Sequence, residues 1–273
     1  MVQAARSDLT FRNSLETLLG RKLSPDNDDF DPALTAAETL TLVRVPISRG
    51  RLDGLTRLLN RRLSPHLRTM CDPIPGDIIR KLRKNYSEQL PKTMRVRTAS
   101  LDSKSSKAGR IAASLGIVDL LTSDQLRHFG ERVTGKKLVP DPGCQVICYE
   151  PGDYSGPHTD HHPEQPEYRD GYIDIHIMLS SPAVASQLLV YERRRGFLNE
   201  VAEIGRGMSI AVYQLPFWHY TTPMIPRAGG DDARRWLLLA SYMIDRTKRR
   251  SRGHPRRIKP ALNCLSPDAS LPR

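Results

Sequence analysis

The chain has 273 residues, enough for one large domain with an extension, and its 38% hydrophobic content is low but compatible with a packed core. Lys and Arg total 42 against 30 Asp and Glu, a net charge of +12; this favours anionic partners without selecting among nucleic acid, phosphate, carboxylate substrates or an acidic membrane surface. No apolar run reaches membrane-spanning length, no signal-peptide stretch opens the chain, and none of Cys71, Cys144, Cys148 and Cys264 forms a CxxC pair, so the expectation is a reduced, cytoplasmic protein without a disulfide framework.

Residues 7–20 have helical character with Ser7 or Thr10 as caps, and a second helix is expected near 34–43 after the acidic loop 25–33. Between 51 and 63 the apolar positions Leu52, Leu55, Leu58, Leu59 and Leu63 fall at helical spacing under a basic outer face. Another helix is expected after the Pro/Gly turn of DPIPGDIIRKLRKNYSEQL. Residues 98–110 are small, polar and basic and suggest a mobile loop, and Ser123 caps a helix over 123–135.

From Gly143 onward the pattern changes to short strands, expected at 144–150, 171–180, 186–192, 207–215, 217–222 and 234–244. Many short strands separated by Pro- and Gly-containing turns predict a sandwich or barrel rather than βαβ units. Residues 246–259 carry eight Lys or Arg and no acid, the composition of a disordered tail. The expected organisation is a helical N-terminal section with a loop over 1–110, a β core over 111–245 and a basic tail over 246–273.

The segment 148–164, CYEPGDYSGPHTDHHPE, contains His158 and Asp160 as His-x-Asp. In an extended chain these two side chains point the same way and can meet one ion. Two His and one carboxylate hold ferrous iron on one face and leave other positions open; His219, in the strand-like FWHYTT, is the candidate third ligand. His-x-Asp alone is a weak signal: His161 or His162 would serve equally by type, and the same donors suit zinc.

Tyr149 stands nine residues before His158, with Gly152 and Tyr154 between them. In this spacing the segment resembles the prolyl-4-hydroxylase-like branch of the iron(II)- and 2-oxoglutarate-dependent oxygenases, over about residues 140–245. The resemblance implies a mainly β fold with flanking helices (α+β), whose core is a double-stranded β-helix or jelly roll. It implies Fe(II), 2-oxoglutarate as cosubstrate and O2, with ascorbate as a supporting reductant. It also implies a metal site of His158, Asp160 and His219, with Tyr149 and a basic residue at the start of the last core strand binding 2-oxoglutarate. Arg235, before Trp236, fits that basic position. The loop from Pro223 to Ala233 is longer than the family's, which leaves Arg234 as the alternative and Arg227 as a third choice.

Strand alternation groups Arg235, Leu237, Leu239 and Ser241 on one face and Trp236, Leu238, Ala240 and Tyr242 on the other. In 172–178 it groups Tyr172, Asp174, His176 and Met178 opposite Ile173, Ile175 and Ile177. Asp174 and His176 are therefore either solvent-facing or pocket residues contacting 2-oxoglutarate or substrate; buried without partners they would be costly. Trp218 is expected to pack.

The expected reaction is hydroxylation of an unactivated C–H bond of an amino acid, a peptide-linked residue or a natural-product scaffold, with release of succinate and CO2. The retained carboxylate Asp160 separates the chain from related halogenases, which lack it, and favours hydroxylation or another hydrogen-abstraction outcome such as desaturation or ring formation. The expected partner is a small-molecule or peptide/protein substrate. Nucleic-acid dealkylation is a second reading, but the Arg-x5-Arg signature of that group is missing: Ser241 follows Arg235, and Ala240 follows Arg234, at that spacing. A non-catalytic or zinc-binding jelly-roll module is a third. Oligomeric state is left open.

Overall fold

A computed structural model describes residues 39–72, 94–102, 105–160, 171–193 and 198–245. The helices expected at 7–20 and after Asp72, the candidates His161 and His162, Cys264 and the basic tail lie outside these residues. The described chain begins with β1 (Leu40–Val45), α1 (Arg49–Arg62), a 3-10 turn (Ser64–His66), β2 (Arg68–Asp72) and β3 (Met94–Ser100). Three helices follow, α2 (Lys107–Ser114), α3 (Ile117–Leu121) and α4 (Asp124–Thr134). The remaining strands are β4 (Gly143–Tyr149), β5 (Tyr154–His158), β6 (Tyr172–Ser180), β7 (Val184–Ser186), β8 (Leu188–Glu192), β9 (Leu198–Glu203), β10 (Met208–Gln214), β11 (His219–Thr221), β12 (Ile225–Pro226) and β13 (Arg235–Met243).

Eleven strands make one antiparallel sheet in the order β1-β10-β6-β13-β4-β3-β5-β11-β8-β9, with β2 paired to β3. The sheet curls so that β10, β6, β13 and β4 face β5, β11 and β8 across one interior cavity, which all seven line. This is a jelly roll. No helix among the described residues is long and apolar enough to cross a membrane.

Both faces of the major run are covered. On the outer face, Ile173, Ile175 and Ile177 of β6 and Trp236, Leu238 and Ala240 of β13 pack with α1 to α4. The inner face joins Tyr172, Met178, Leu237 and Leu239 to a second cluster around the cavity. Each fully buried Leu or Ile contributes about 1.5–3 kcal/mol. The apolar stripe of α1 is as the spacing predicts: Leu52, Leu55 and Leu59 are buried, and Asn60 Oδ1 accepts a 2.8 Å hydrogen bond from Trp236 Nε1, tying the helix to the strand that starts with Arg235. Ser123 caps α4, its hydroxyl accepting from Leu126 N at 3.2 Å. Cys144 and Cys148 form no disulfide and are buried on the outer face, where burial pushes the Cys148 thiol up to about 12.

Two expectations are corrected. Residues 40–45 are a strand, not the end of a helix: LTLVRV fits either period, and antiparallel pairing of β1 with β10 decides for the strand. Residues 98–110 are not simply a loop, because Thr98, Ala99 and Ser100 pair with Ile147, Val146 and Gln145 of β4, and Ser106 caps α2. The section expected to be helical thus also supplies three strands of the sheet.

Candidate metal centre and its cavity

The turn after β4 sets the geometry. Asp153 Oδ2 accepts from Glu150 N at 2.8 Å and its Oδ1 accepts from Arg95 Nε at 2.8 Å. Burial raises the Asp153 pKa, against the pull of these two donors. Gly152 sits at φ +78°, a left-handed conformation that residues with a Cβ rarely adopt, so the turn favours glycine. The chain then reverses into β5, which lies between β3 and β11.

His158 ends β5 directly opposite His219 of β11, with ring centroids 4.3 Å apart. The register slips between His219 and Thr221: two steps on β11 match three on β5, a bulge that re-aims side chains beside the pair. Asp160 follows two residues after His158. Its Oδ1 lies 3.6 Å from His158 Nε2 and its Oδ2 lies 3.5 Å from His219 Nε2. One ligand atom from each residue falls within 4.8 Å of the others, so the three can hold one ion.

Both imidazoles are oriented from behind. His158 Nδ1 is 2.5 Å from Gly156 O, and His219 Nδ1 is 3.3 Å from Phe217 O. A carbonyl only accepts, so each Nδ1 carries a proton, and in the neutral ring each Nε2 is left with a lone pair facing the common centre. Tyr172 supports the carboxylate side, since its hydroxyl donates to the backbone oxygen of Asp160. Tyr172→Phe is expected to weaken metal binding about tenfold, measured by competition with a chelator; unchanged affinity would remove Tyr172 from the support of the site.

The cavity has about 50 Å³ of space open to water-sized molecules. At one end is Arg235, fully buried at 0% exposure. Its Nε donates to Gln187 Oε1 at 2.6 Å, its Nη1 contacts Met178 Sδ at 3.4 Å, and the guanidinium carbon lies 4.2 Å from the centroid of the Tyr149 ring. Nη2 has no hydrogen-bond partner among the described residues. Burial lowers the pKa of Arg235, while the neighbouring Tyr149 and Tyr213 raise it. A guanidinium stays charged in a protein, so a buried cation without a carboxylate partner leaves a place for an anion. The nearby Tyr149 hydroxyl is 3.1 Å from Ser155 Oγ.

Arg234 points elsewhere: its Nε pairs with Glu150 Oε1 at 3.1 Å outside the cavity, and the same oxygen takes Arg97 Nη1 at 3.1 Å. Arg227 is bound to Pro182 O on the surface. Trp218 donates its backbone N–H to Glu192 Oε2.

Asp174 and His176 line the far end of the cavity, 4% and 8% exposed, so β6 turns neither face to solvent. Asp174 Oδ2 lies 3.8 Å from His176 Nε2. Burial raises the Asp174 pKa, opposed by its contacts with His176 and Ser241. The His176 ring stacks on Tyr213 at 4.1 Å, and Tyr213 meets His219 edge-on at 5.4 Å.

Three contributors escape the sequence. Gln187 is fully buried, and besides holding Arg235 it donates to Asp153 O and Thr222 O at 3.1 and 2.9 Å. Tyr213 and Gln145 complete the walls. No motif marks them; Gln145 and Tyr213 are polar residues on the inward phase of a strand, and Gln187 lies in the one-residue link between β7 and β8.

Solved structures similar to this chain include a prolyl-4-hydroxylase from Pseudomonas putida, 16% identical, covering 79% of this chain and 97% of that one at a TM-score of 0.47. A second is the Trichoplax adhaerens prolyl hydroxylase in complex with a hypoxia-inducible-factor peptide fragment, 16% identical over 88% of this chain and 91% of that one, TM-score 0.41. A third is the non-heme α-ketoglutarate-dependent carbocyclase SnoK from nogalamycin biosynthesis, 11% identical over 78% and 82%, TM-score 0.48. No family model and no curated protein matches the sequence.

Proposed function

We propose that the protein is an Fe(II)- and 2-oxoglutarate-dependent oxygenase that hydroxylates a C–H bond of an amino acid, a peptide-linked residue or a natural-product scaffold. The observation that carries this reading is the presence, in one cavity, of a His158–Asp160–His219 cluster and a buried Arg235 whose Nη2 has no partner among the described residues.

The donor set fits the metal. Two neutral imidazoles and one carboxylate on one side suit ferrous iron and leave the opposite positions for other ligands. Arg235 fits the cosubstrate: its fork meets a carboxylate, and Tyr149 covers the guanidinium. Fe(II), with 2-oxoglutarate and O2, supplies oxidative decarboxylation to succinate and CO2 coupled to insertion of one oxygen atom into the substrate C–H bond. The chain's own work is to hold and exclude. His158, Asp160 and His219 bind and orient the metal. Gln187 aims Arg235. Leu189, Ile204 and Leu237 keep water from the carboxylate's end of the cavity.

Oxygen-dependent succinate formation tests this. Ferrous protein with 2-oxoglutarate and a panel of amino acids, peptides and amines is expected to release succinate, and His219→Ala to lower the rate at least about 100-fold. Equal succinate from both proteins would reject the reading.

A further inference from the structure

Asp174 is a buried carboxylate that metal and cosubstrate binding leave unused. Its Oδ1 has no hydrogen-bond partner among the described residues, and neither has either ring nitrogen of His176. Both residues line the metal's cavity.

The strand register separates them from Arg235. In the pairing of β6 with β13, Arg235 is opposite Ser180, His176 opposite Leu239 and Asp174 opposite Ser241. Ser241 is six residues beyond Arg235, roughly 20 Å at about 3.3 Å per residue. A five-carbon diacid with one carboxylate on Arg235 and its other end on the metal does not extend to Asp174. Tyr213 stands between, stacked on His176 and edge-on to His219.

Charge gives the ligand class, resting on the oxygenase reading above. A divalent metal, Asp160, doubly charged 2-oxoglutarate and Arg235 sum to zero. Among the described residues lining the cavity, Asp174 is then the surplus anion, and a desolvated carboxylate is stable only when paired or protonated.

We infer that Asp174, with His176 beside it, is the specificity subsite for a cationic amine on the substrate, placing an ammonium group across Tyr213 from the metal. A substrate of this kind restores neutrality and fills the open acceptor Oδ1. A carboxylate-bearing substrate would instead meet a second buried anion.

The test uses n-butylammonium as probe, with butyrate and 1-butanol as isosteres, titrated into the anaerobic protein loaded with Fe(II) and 2-oxoglutarate. Butylammonium is expected to bind at least about tenfold more tightly than either isostere. Asp174→Asn is expected to erase that preference while 2-oxoglutarate affinity stays within about threefold, which also reports that the variant is folded. No preference in the wild type, as when His176 itself supplies the counter-charge, overturns the inference. So does a preference that survives in Asp174→Asn. If that variant loses both ligands together, wild-type crystals soaked with 3-bromopropylammonium decide. Anomalous bromine density in the cavity with the ammonium on Asp174 supports the subsite; bromine elsewhere or absent overturns it. Failure of the wild type to bind 2-oxoglutarate would instead sink the oxygenase reading, and the amine preference, measured on the same protein, would still support or overturn the Asp174 subsite.

Discussion

Asp160→Ala is expected to abolish iron-supported turnover, lowering succinate formation at least about 100-fold and releasing Fe(II) to a weak chelator. The carboxylate lies 3.6 Å from one histidine nitrogen and 3.5 Å from the other, and is the only anionic donor in the three-residue cluster. Its removal leaves two neutral imidazoles, and a divalent ion loses its main compensating charge. The fold is expected to stand, because Asp160 is not among the residues of either apolar cluster. Metal content and unfolding temperature of the apoprotein, measured together, check this. A variant that keeps full iron and normal turnover would show that the metal is held elsewhere.

Arg235→Gln is expected to raise the KM for 2-oxoglutarate roughly 100-fold while lowering kcat much less. A charge-assisted hydrogen bond contributes about 1.5–3 kcal/mol, so the loss of one of them on the carboxylate amounts to about one to two orders of magnitude. Gln is preferred to Ala here because Arg235 is fully buried and an empty volume in its place would add a packing cost of its own. Arg234→Gln is the matched control. It breaks the pairing with Glu150 outside the cavity and is expected to change KM less than twofold. If Arg234→Gln carries the KM effect and Arg235→Gln does not, the assignment of the anion-binding arginine is reversed.

Much of the candidate site's geometry is legible in the sequence because it depends on local rules. His158 and Asp160 share a direction by extended-chain geometry, and the strand phase of RRWLLLASYM puts Arg235 and Arg234 on opposite faces. His219 is legible only in part: its type and place suit a ligand, but its seat opposite His158 comes from long-range pairing. The orientation of Asp174 and His176 is not readable from alternation, since the isoleucines between them could claim the core alone. Helices over the outer face and the cavity on the inner face bury both sets at once. Strand β5, YSGPH, carries a Gly and a Pro and has little strand character; pairing with β3 and β11 makes it one. Gln187 has no local signature because its role is to join Arg235, Asp153 and Thr222, which are far apart in the chain.

The most direct measurement is calorimetric titration of 2-oxoglutarate into anaerobic protein, metal-free and Fe(II)-loaded, with Asp160→Ala and Arg235→Gln alongside. One site per chain is expected that appears only with Fe(II), is lost in Asp160→Ala and is weakened in Arg235→Gln. Binding that is the same without metal, or no binding to the Fe(II)-loaded wild type, would contradict it.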